Sequence, residues 1–225
     1  MIELLIYDLD GTLIDSKQDI ANAVNWTLGE LGLPRLPLDR ISAFVGNGVA
    51  HLISNVLNES GSGEVPAETF LDRAVTLYRS RYAEHLLDET KLFPSVETVL
   101  RHFKTRKQAV ITNKPAEFSH RILRGLGVDH YFFKLIGGDQ SLQKKPSPEP
   151  VLATVKAADV RLEETVLIGD SLIDIETGKN AGVQTIAVTY GFRKRDQIEK
   201  SKPDFILDDL IDLMRCPLLT ETGSR

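Results

Sequence analysis

The sequence predicts an α/β protein, a Rossmann-like parallel sheet carrying an inserted α-helical domain. Three observations lead there. Short apolar runs recur along most of the chain, with amphipathic stretches of helical length between them; strand alternating with helix is the pattern of a parallel sheet with right-handed crossovers. Residues 16–90 break that alternation with helical patterns alone. At 225 residues the chain also exceeds the common ~100–150 residue domain size without reaching two full domains, as one domain with a sizeable insertion would.

Residues 4–7 (Leu-Leu-Ile-Tyr) form the first apolar run. It ends in acidic and glycine residues and reads as a strand buried on both faces. Similar runs follow at residues 108–112, 134–137, 165–168, 184–189 and 204–207. Residues 95–104, 115–126, 148–158 and 172–181 place apolar side chains three or four apart, the spacing of a helix with one face on a core. Pro115 and Pro148 suit a first helical turn, and Gly127 and Gly182 suit helix stops. Within the insertion, helical patterns cover residues 17–31, 49–58 and 67–87, divided by Gly-, Pro- and Ser-rich loops that include residues 32–37 and 60–66. The expected organisation is a core of residues 1–15 and 91–225 and a helical cap of residues 16–90.

A chain that is 42% hydrophobic and 26% charged is globular rather than disordered. Its 27 Lys+Arg against 32 Asp+Glu give a net charge of −5, which argues against a nucleic-acid partner because phosphate backbones are held by surplus cations. The single cysteine, Cys216, excludes an internal disulfide and a cysteine-based zinc cluster. The N-terminal apolar run contains Glu3 and meets Asp8 at once, so it reads as neither signal peptide nor membrane span. The expectation is a cytoplasmic protein, monomer or homodimer, with no membrane partner. The acidity has an address: residues 18–90 hold five Arg, no Lys and ten Asp+Glu, while the rest of the chain balances at 22 of each sign. A long polyanion would be repelled there.

In open parallel sheets, ligands bind at the carboxyl ends of the strands. Those positions carry Asp8-Leu9-Asp10-Gly11-Thr12, then Thr112-Asn113-Lys114, then Gly169-Asp170-Ser171 with Asp174 further on, and a loop adds Lys144-Lys145-Pro146-Ser147-Pro148. Several carboxylates converging in a low dielectric repel one another unless a cation joins them. Hard oxygen donors without His or Cys favour Mg²⁺. Asp170 is the natural third contributor beside Asp8 and Asp10. Strand-end aspartates also serve as turn formers or helix caps, and that alternative stays open for Asp8 and Asp10 taken alone. Pro146 and Pro148 stiffen the loop that bears Lys145, whose ammonium could neutralise Asp8 and a phosphoryl group together; Lys144 reads as the solvated neighbour. Thr112 offers a hydroxyl and Asn113 a backbone N–H to phosphoryl oxygens, although turn formation explains Thr-Asn equally well. Gly11 and Thr12 could present bare N–H groups to an anion where the chain turns away.

These motifs resemble those of the haloacid dehalogenase superfamily. Asp8-Leu9-Asp10-Gly11-Thr12 is similar to its first motif, Thr112 to its second, Lys145 to its third, and Gly169-Asp170 with Asp174 to its fourth. The likeness spans essentially the whole chain, and the insertion resembles the helical cap of the first type. Thr112-Asn113-Lys114-Pro115, Lys145-Pro146-Ser147-Pro148 and Gly46-Asn47-Gly48 look most like phosphoglycolate phosphatase-like members. The resemblance implies a Mg²⁺-dependent phosphomonoesterase acting on a small phosphorylated metabolite, with 2-phosphoglycolate the leading candidate. It implies that Asp8 attacks phosphorus to form an aspartyl-phosphate and that Asp10 is the acid and base. It further implies that Asp8, Asp170 and the backbone carbonyl of Asp10 hold Mg²⁺, that Thr112 and Lys145 hold the phosphoryl oxygens, and that Asp174 supports Lys145 or a water rather than the ion.

Asp10 favours phosphoryl chemistry over dehalogenation, which needs no acid/base carboxylate at that position. The absence of lysine from residues 18–90 excludes the phosphonate hydrolases that form a Schiff base from a cap lysine. A β-phosphoglucomutase-like transferase, a pyrophosphatase and, in another class, a non-catalytic binding protein stay open. In the cap, Gly46, Asn47 and Gly48 precede a helix and could meet the substrate's anionic end, or serve only as a flexible helix start. His51 reads as a surface or core histidine, and Arg73, Arg79 and Arg81 as solvated ion pairs. Trp26 and Phe44 read as cap core. Gly191-Phe192-Arg193 is a further strand-end loop with a weak claim to an anion.

Overall fold

The computed structural model describes residues 1–61, 68–140 and 143–220. The chain divides into two compact units, one of Met1–Asp15 with Leu92–Arg225 and one of Ser16–Lys91. In chain order the elements begin with β1 (Leu4–Tyr7), β2 (Ile14–Asp15), α1 (Lys17–Glu30), α2 (Leu38–Ala43), α3 (Val49–Glu59) and α4 (Glu68–Glu84). There follow β3 (Lys91–Leu92), α5 (Val96–His102), β4 (Lys107–Ile111), α6 (Ala116–Gly125), β5 (Lys134–Ile136) and α7 (Glu149–Ala158). The chain closes with β6 (Thr165–Gly169), α8 (Leu172–Ala181), β7 (Gln184–Val188), α9 (Arg195–Lys200) and β8 (Phe205–Leu207). The fold class is α/β, as the alternation predicts.

Among the described residues the first unit holds a six-stranded parallel sheet in the order β5-β4-β1-β6-β7-β8. Strand β1 is central: Leu4 lies opposite Lys107 of β4 on one side and Thr165 of β6 on the other. Covered on both faces, Leu4, Leu5, Ile6 and Tyr7 are wholly buried, which is why their stretch of sequence is continuously apolar. Alternate residues share a face, so Leu4 and Ile6 join Ala109, Ile111 and Leu167 beneath Val151, Val155 and Ala158 of α7 and Ala181 of α8. Each large aliphatic side chain sequestered this way contributes about 1.5–3 kcal/mol. Because sequence order runs outward in opposite directions from β1, the carboxyl ends of β1, β4 and β6 border a topological switch point, where such sheets bind ligands.

The second unit is helical. Ile20, Ala21, Val24 and Leu28 of α1, Leu52, Ile53 and Val56 of α3, and Ala74, Tyr78 and Tyr82 of α4 are buried, and the Tyr78 and Tyr82 rings stack at 5.5 Å. Asn25 and the Leu36 backbone exchange hydrogen bonds of 3.0 and 2.9 Å, fixing the turn that leads into α2. Gly46 and Gly48 take positive φ, 124° and 88°, and the Gly48 carbonyl accepts the N–H of Leu52 as α3 begins. Most of the loop expected at residues 60–66, and residue 67 of the helix expected there, lie outside the described residues.

Differences from the sequence expectation are local. Helices α2 and α9 were not anticipated, since six residues make fewer than two turns and leave little periodicity to read. Pro115 and Pro148 stand immediately before their helices rather than within the first turn. Trp26 and Phe44 are half-buried, not core; the guanidinium of Arg81 lies over the Trp26 ring at 5.5 Å, a cation–π contact. His51 is exposed. No helix among the described residues is long and apolar enough to cross a membrane.

Candidate active site

The site forms where β1 ends. Asp8 continues the ladder through its N–H to the Ile168 carbonyl at 2.9 Å, and then the chain turns. The N–H of Gly11 donates to Ile14 O at 2.9 Å, and those of Thr12, Leu13 and Ile14 all converge on Leu9 O. This corrects one expectation: the Gly11 and Thr12 N–H groups are spent on the turn itself and do not stand bare toward an anion. What the turn requires is a glycine. Gly11 has a φ of 92°, and a Cβ there would fall 2.2 Å from Asp170 Oδ2. The Thr12 hydroxyl faces Asp170 Oδ1 at 3.4 Å, while its carbonyl accepts the Tyr190 hydroxyl at 2.8 Å.

The turn gives Asp8 and Asp10 different partners. Lys145, 3% exposed, donates through Nζ to Asp8 Oδ1 at 2.5 Å and to Asp174 Oδ1 at 2.6 Å. Lys114 donates instead to both oxygens of Asp10, at 2.9 and 3.1 Å. Burial opposes the charge on Lys145, but Asp174 and Asp8 outweigh it and hold its pKa above the ordinary value. Lys144 is exposed.

The loop carrying Lys145 is tied from two sides. Asn113 Nδ2 donates to the Lys145 carbonyl at 3.1 Å, and the Lys145 N–H donates back to Asn113 Oδ1 at 3.0 Å. Asn180 Nδ2 donates to the Pro146 carbonyl at 3.0 Å. The side chain of Asn113 thus braces the lysine loop. Thr112 is buried after β4, and its hydroxyl oxygen accepts the N–H of Lys114 at 3.2 Å.

Asp170 and Asp174 come from the end of β6 and the first turn of α8. Ser171 caps that helix: its N–H and hydroxyl both donate to Asp174 Oδ2, at 3.1 and 2.6 Å. With Oδ1 on Lys145, both oxygens of Asp174 are held by protein donors. Asp170 Oδ2 accepts the N–H of Phe192 at 2.7 Å. A Cβ on Gly191 would sit 2.4 Å from that same oxygen, so the loop after β7 closes on Asp170 through a glycine.

Asp8, Asp170 and Asp174 each present an oxygen within 4.8 Å of the others, all three buried. Burial, only partly offset by Lys145 and reinforced by Asp174, raises the Asp8 pKa to about 7. Burial, then Asp174 and Asp8, raise that of Asp170 to about 8. A hard divalent cation fits this cluster: it replaces carboxylate repulsion with attraction, and the donors are all oxygen. Asp174 is the most tightly held of the three, by the Lys145 ammonium and by the N–H and hydroxyl of Ser171.

The whole chain can now be placed among known proteins. Residues 5–188 match the family described as haloacid dehalogenase-like hydrolase. The chain belongs to that family. It is 39% identical over 217 residues to the phosphoglycolate phosphatase of Colwellia psychrerythraea, covering 94% of this chain and 95% of the relative. With the phosphoglycolate phosphatase of Aquifex aeolicus it shares 37% over 218 residues, 95% and 97% of the two chains. A crystal structure described as a predicted phosphoglycolate phosphatase from Haemophilus somnus superposes with a TM-score of 0.91 at 29% identity, covering 95% of this chain and 97% of the other.

For this haloacid dehalogenase-like hydrolase, the core crevice gathers Asp8, Asp10, Gly11, Thr12, Thr112, Asn113, Lys145, Asp170 and Asp174 from four segments. Gly46, Asn47 and Gly48 belong to the helical unit. Sequence reasoning placed Lys114 at a strand end without giving it a partner, and it missed the Phe192 N–H. The glycine of Gly191-Phe192-Arg193, next to a strand end, was the local signal for the second; for the first the strand end was the signal, but its partner lies 104 residues away.

Proposed function

We propose that this protein is a Mg²⁺-dependent phosphatase that hydrolyses 2-phosphoglycolate, or a close carboxylated phosphate ester, through an aspartyl-phosphate on Asp8. The observation that carries the reading is the buried Asp8–Lys145–Asp174 chain beside Asp170. It is an arrangement poised for an added dianion and an added cation, and the relatives' names supply the substrate.

Asp8 Oδ attacks phosphorus as the P–O bond to the leaving alcohol breaks, and protonated Asp10 gives its proton to the departing oxygen. Water then attacks the aspartyl-phosphate, its proton passing to Asp10, and releases inorganic phosphate with Asp8 restored. Lys145 orients Asp8 and partly offsets the burial that opposes its charge, and its ammonium stabilises charge on the phosphoryl oxygens. Thr112 lies at the end of β4 beside the same crevice, where its hydroxyl can also serve a phosphoryl oxygen. Asp8, Asp170 and the Asp10 carbonyl would hold Mg²⁺, which supplies charge neutralisation for the phosphoryl group. The acidic helical unit is the cap in this reading, with Gly46, Asn47 and Gly48 at its helix start.

The test is phosphate release from 2-phosphoglycolate with and without Mg²⁺, in wild type and Asp8→Asn. Turnover that needs the metal and disappears in the variant supports the proposal; equal inactivity of both proteins across a broad panel of phosphate esters ends it.

A further inference from the structure

We propose that Lys114 is the recognition residue for the substrate's carboxylate, and that it makes this site selective for phosphate esters with a carboxylate on the ester carbon. The inference rests on the phosphatase reading and names the group that selects its substrate.

Lys114 is fixed at its backbone from both ends: its N–H donates to Thr112 Oγ1 at 3.2 Å, and its carbonyl accepts the N–H of Gly138 at 3.0 Å. Its side chain is 5% exposed and that of Asp10 11%, so the pair is largely removed from water. Lysine is among the residues least often buried, and a buried ion pair is commonly no more stabilising than an apolar pair of the same volume. Stability alone is therefore a poor reason for an ammonium here, whereas its position supplies a better one.

Asp10 is the residue that meets the ester oxygen. In 2-phosphoglycolate the carboxylate is bonded to the carbon that carries this oxygen, and ordinary bond lengths keep the two within about 4 Å. The substrate carboxylate must then arrive beside Asp10, in a crevice that already holds Asp8, Asp170 and Asp174. Without a cation it would be repelled. Lys145 is committed to Asp8 and Asp174. Lys114 is the ammonium on the leaving-group side, and its flexible four-carbon stem lets one point charge swing from Asp10 to an incoming carboxylate, or bridge the two.

The experiment compares 2-phosphoglycolate with ethyl phosphate, which has a methyl group in place of the carboxylate, on the Mg²⁺-loaded protein. In Lys114→Met, kcat/KM for 2-phosphoglycolate falls about 10- to 100-fold further than for ethyl phosphate, with the added loss mainly in KM. Lys114→Arg recovers part of the discrimination. A loss equal on both esters means that Lys114 serves Asp10 alone and overturns the proposal, as does no loss on either. Dissociation constants of the same two esters are measured by calorimetry on Asp8→Asn, with and without Lys114→Met; the affinity change must be confined to 2-phosphoglycolate. If wild type turns over neither ester, the phosphatase reading falls, and this binding arm still decides the role of Lys114. Should Lys114→Met fail to fold by circular dichroism, Lys114→Gln takes its place in both arms.

Discussion

Asn113 and Lys145, 32 residues apart, hold one another by a reciprocal pair of hydrogen bonds, Nδ2 to O at 3.1 Å and N to Oδ1 at 3.0 Å. The asparagine pairs with the loop backbone as a strand neighbour would, so the ammonium of Lys145 is delivered between Asp8 and Asp174 from a fixed origin. Asn113→Ala leaves a buried N–H and C=O without partners, at a cost of about 1–3 kcal/mol each. The expected result is a melting point several degrees lower, together with a fall in kcat of at least about tenfold, because a small misplacement of a catalytic group is costly. Asn113→Asp keeps the acceptor for the Lys145 N–H but loses the donor, and falls between. A kcat unchanged in Asn113→Ala would show that Lys145 is positioned without it.

The loop after β7 is a second brace, acting on Asp170. Gly191→Ala puts a Cβ 2.4 Å from Asp170 Cβ and Oδ2, so the carboxylate or the loop must shift, taking the Phe192 N–H with it. Partners that orient a metal ligand are commonly worth about 10- to 100-fold in affinity. Titration calorimetry with Mg²⁺ is expected to find binding weakened by about that factor. Unchanged affinity would mean that Asp170 does not ligate the ion.

The raised pKa values of Asp8 and Asp170, about 7 and about 8, have a sign that can be tested in the metal-free protein. An unfolded aspartate titrates near 3.9. The folded state therefore binds more protons between that value and about 8, and stability contributed by these groups is full below about pH 4 and lost as pH rises through about 7 to 8. The metal-free melting temperature should fall between about pH 6 and about pH 8.5, and the rise on adding Mg²⁺ should grow over the same range as the ion displaces fewer protons. In Asp170→Asn both trends shrink. A metal-free melting temperature that climbed over this interval, unaltered by Asp170→Asn, would contradict the assignment.

The sheet was legible in the sequence for a physical reason. A parallel strand covered on both faces must be apolar at every position, so Leu4–Tyr7 and its counterparts stand out without periodicity, and the ends of those runs locate the crevice. Lys145 could be told from Lys144 by its prolines, and the two differ in burial as that reading requires. Lys114 could not be found this way. Its burial depends on a carboxylate across the crevice, and nothing in the adjoining Thr112-Asn113 or Pro115 distinguishes a buried ammonium from a solvated one. The role of Phe192 is carried by a backbone N–H, which has no residue signature. The N–H groups of Gly11 and Thr12 were misread because a turn and an anion nest ask for the same glycine-rich sequence, and only the hydrogen-bond partners separate them.

The helical unit carries a prediction of its own. Asp19, buried in the first turn of α1, accepts the N–H of Glu89 at 3.1 and 3.0 Å, the N–H of Thr90 at 2.8 Å and the Thr90 hydroxyl at 2.7 Å. One carboxylate thereby ties the segment entering the unit to the segment leaving it. A carboxylate accepting several N–H and O–H donors is a strong, charge-assisted arrangement, and its removal strands two backbone donors. Asp19→Ala should destabilise the protein by about 2–4 kcal/mol. Asp19→Asn should cost less, since its one oxygen can still accept. The distinguishing measurement is hydrogen exchange: the amides of Glu89 and Thr90 should lose protection far more than those of β1 and β6, because the lost bonds close the helical unit and not the sheet. If protection at Glu89 and Thr90 stays at the wild-type level in Asp19→Ala, the carboxylate is not what holds the two segments together.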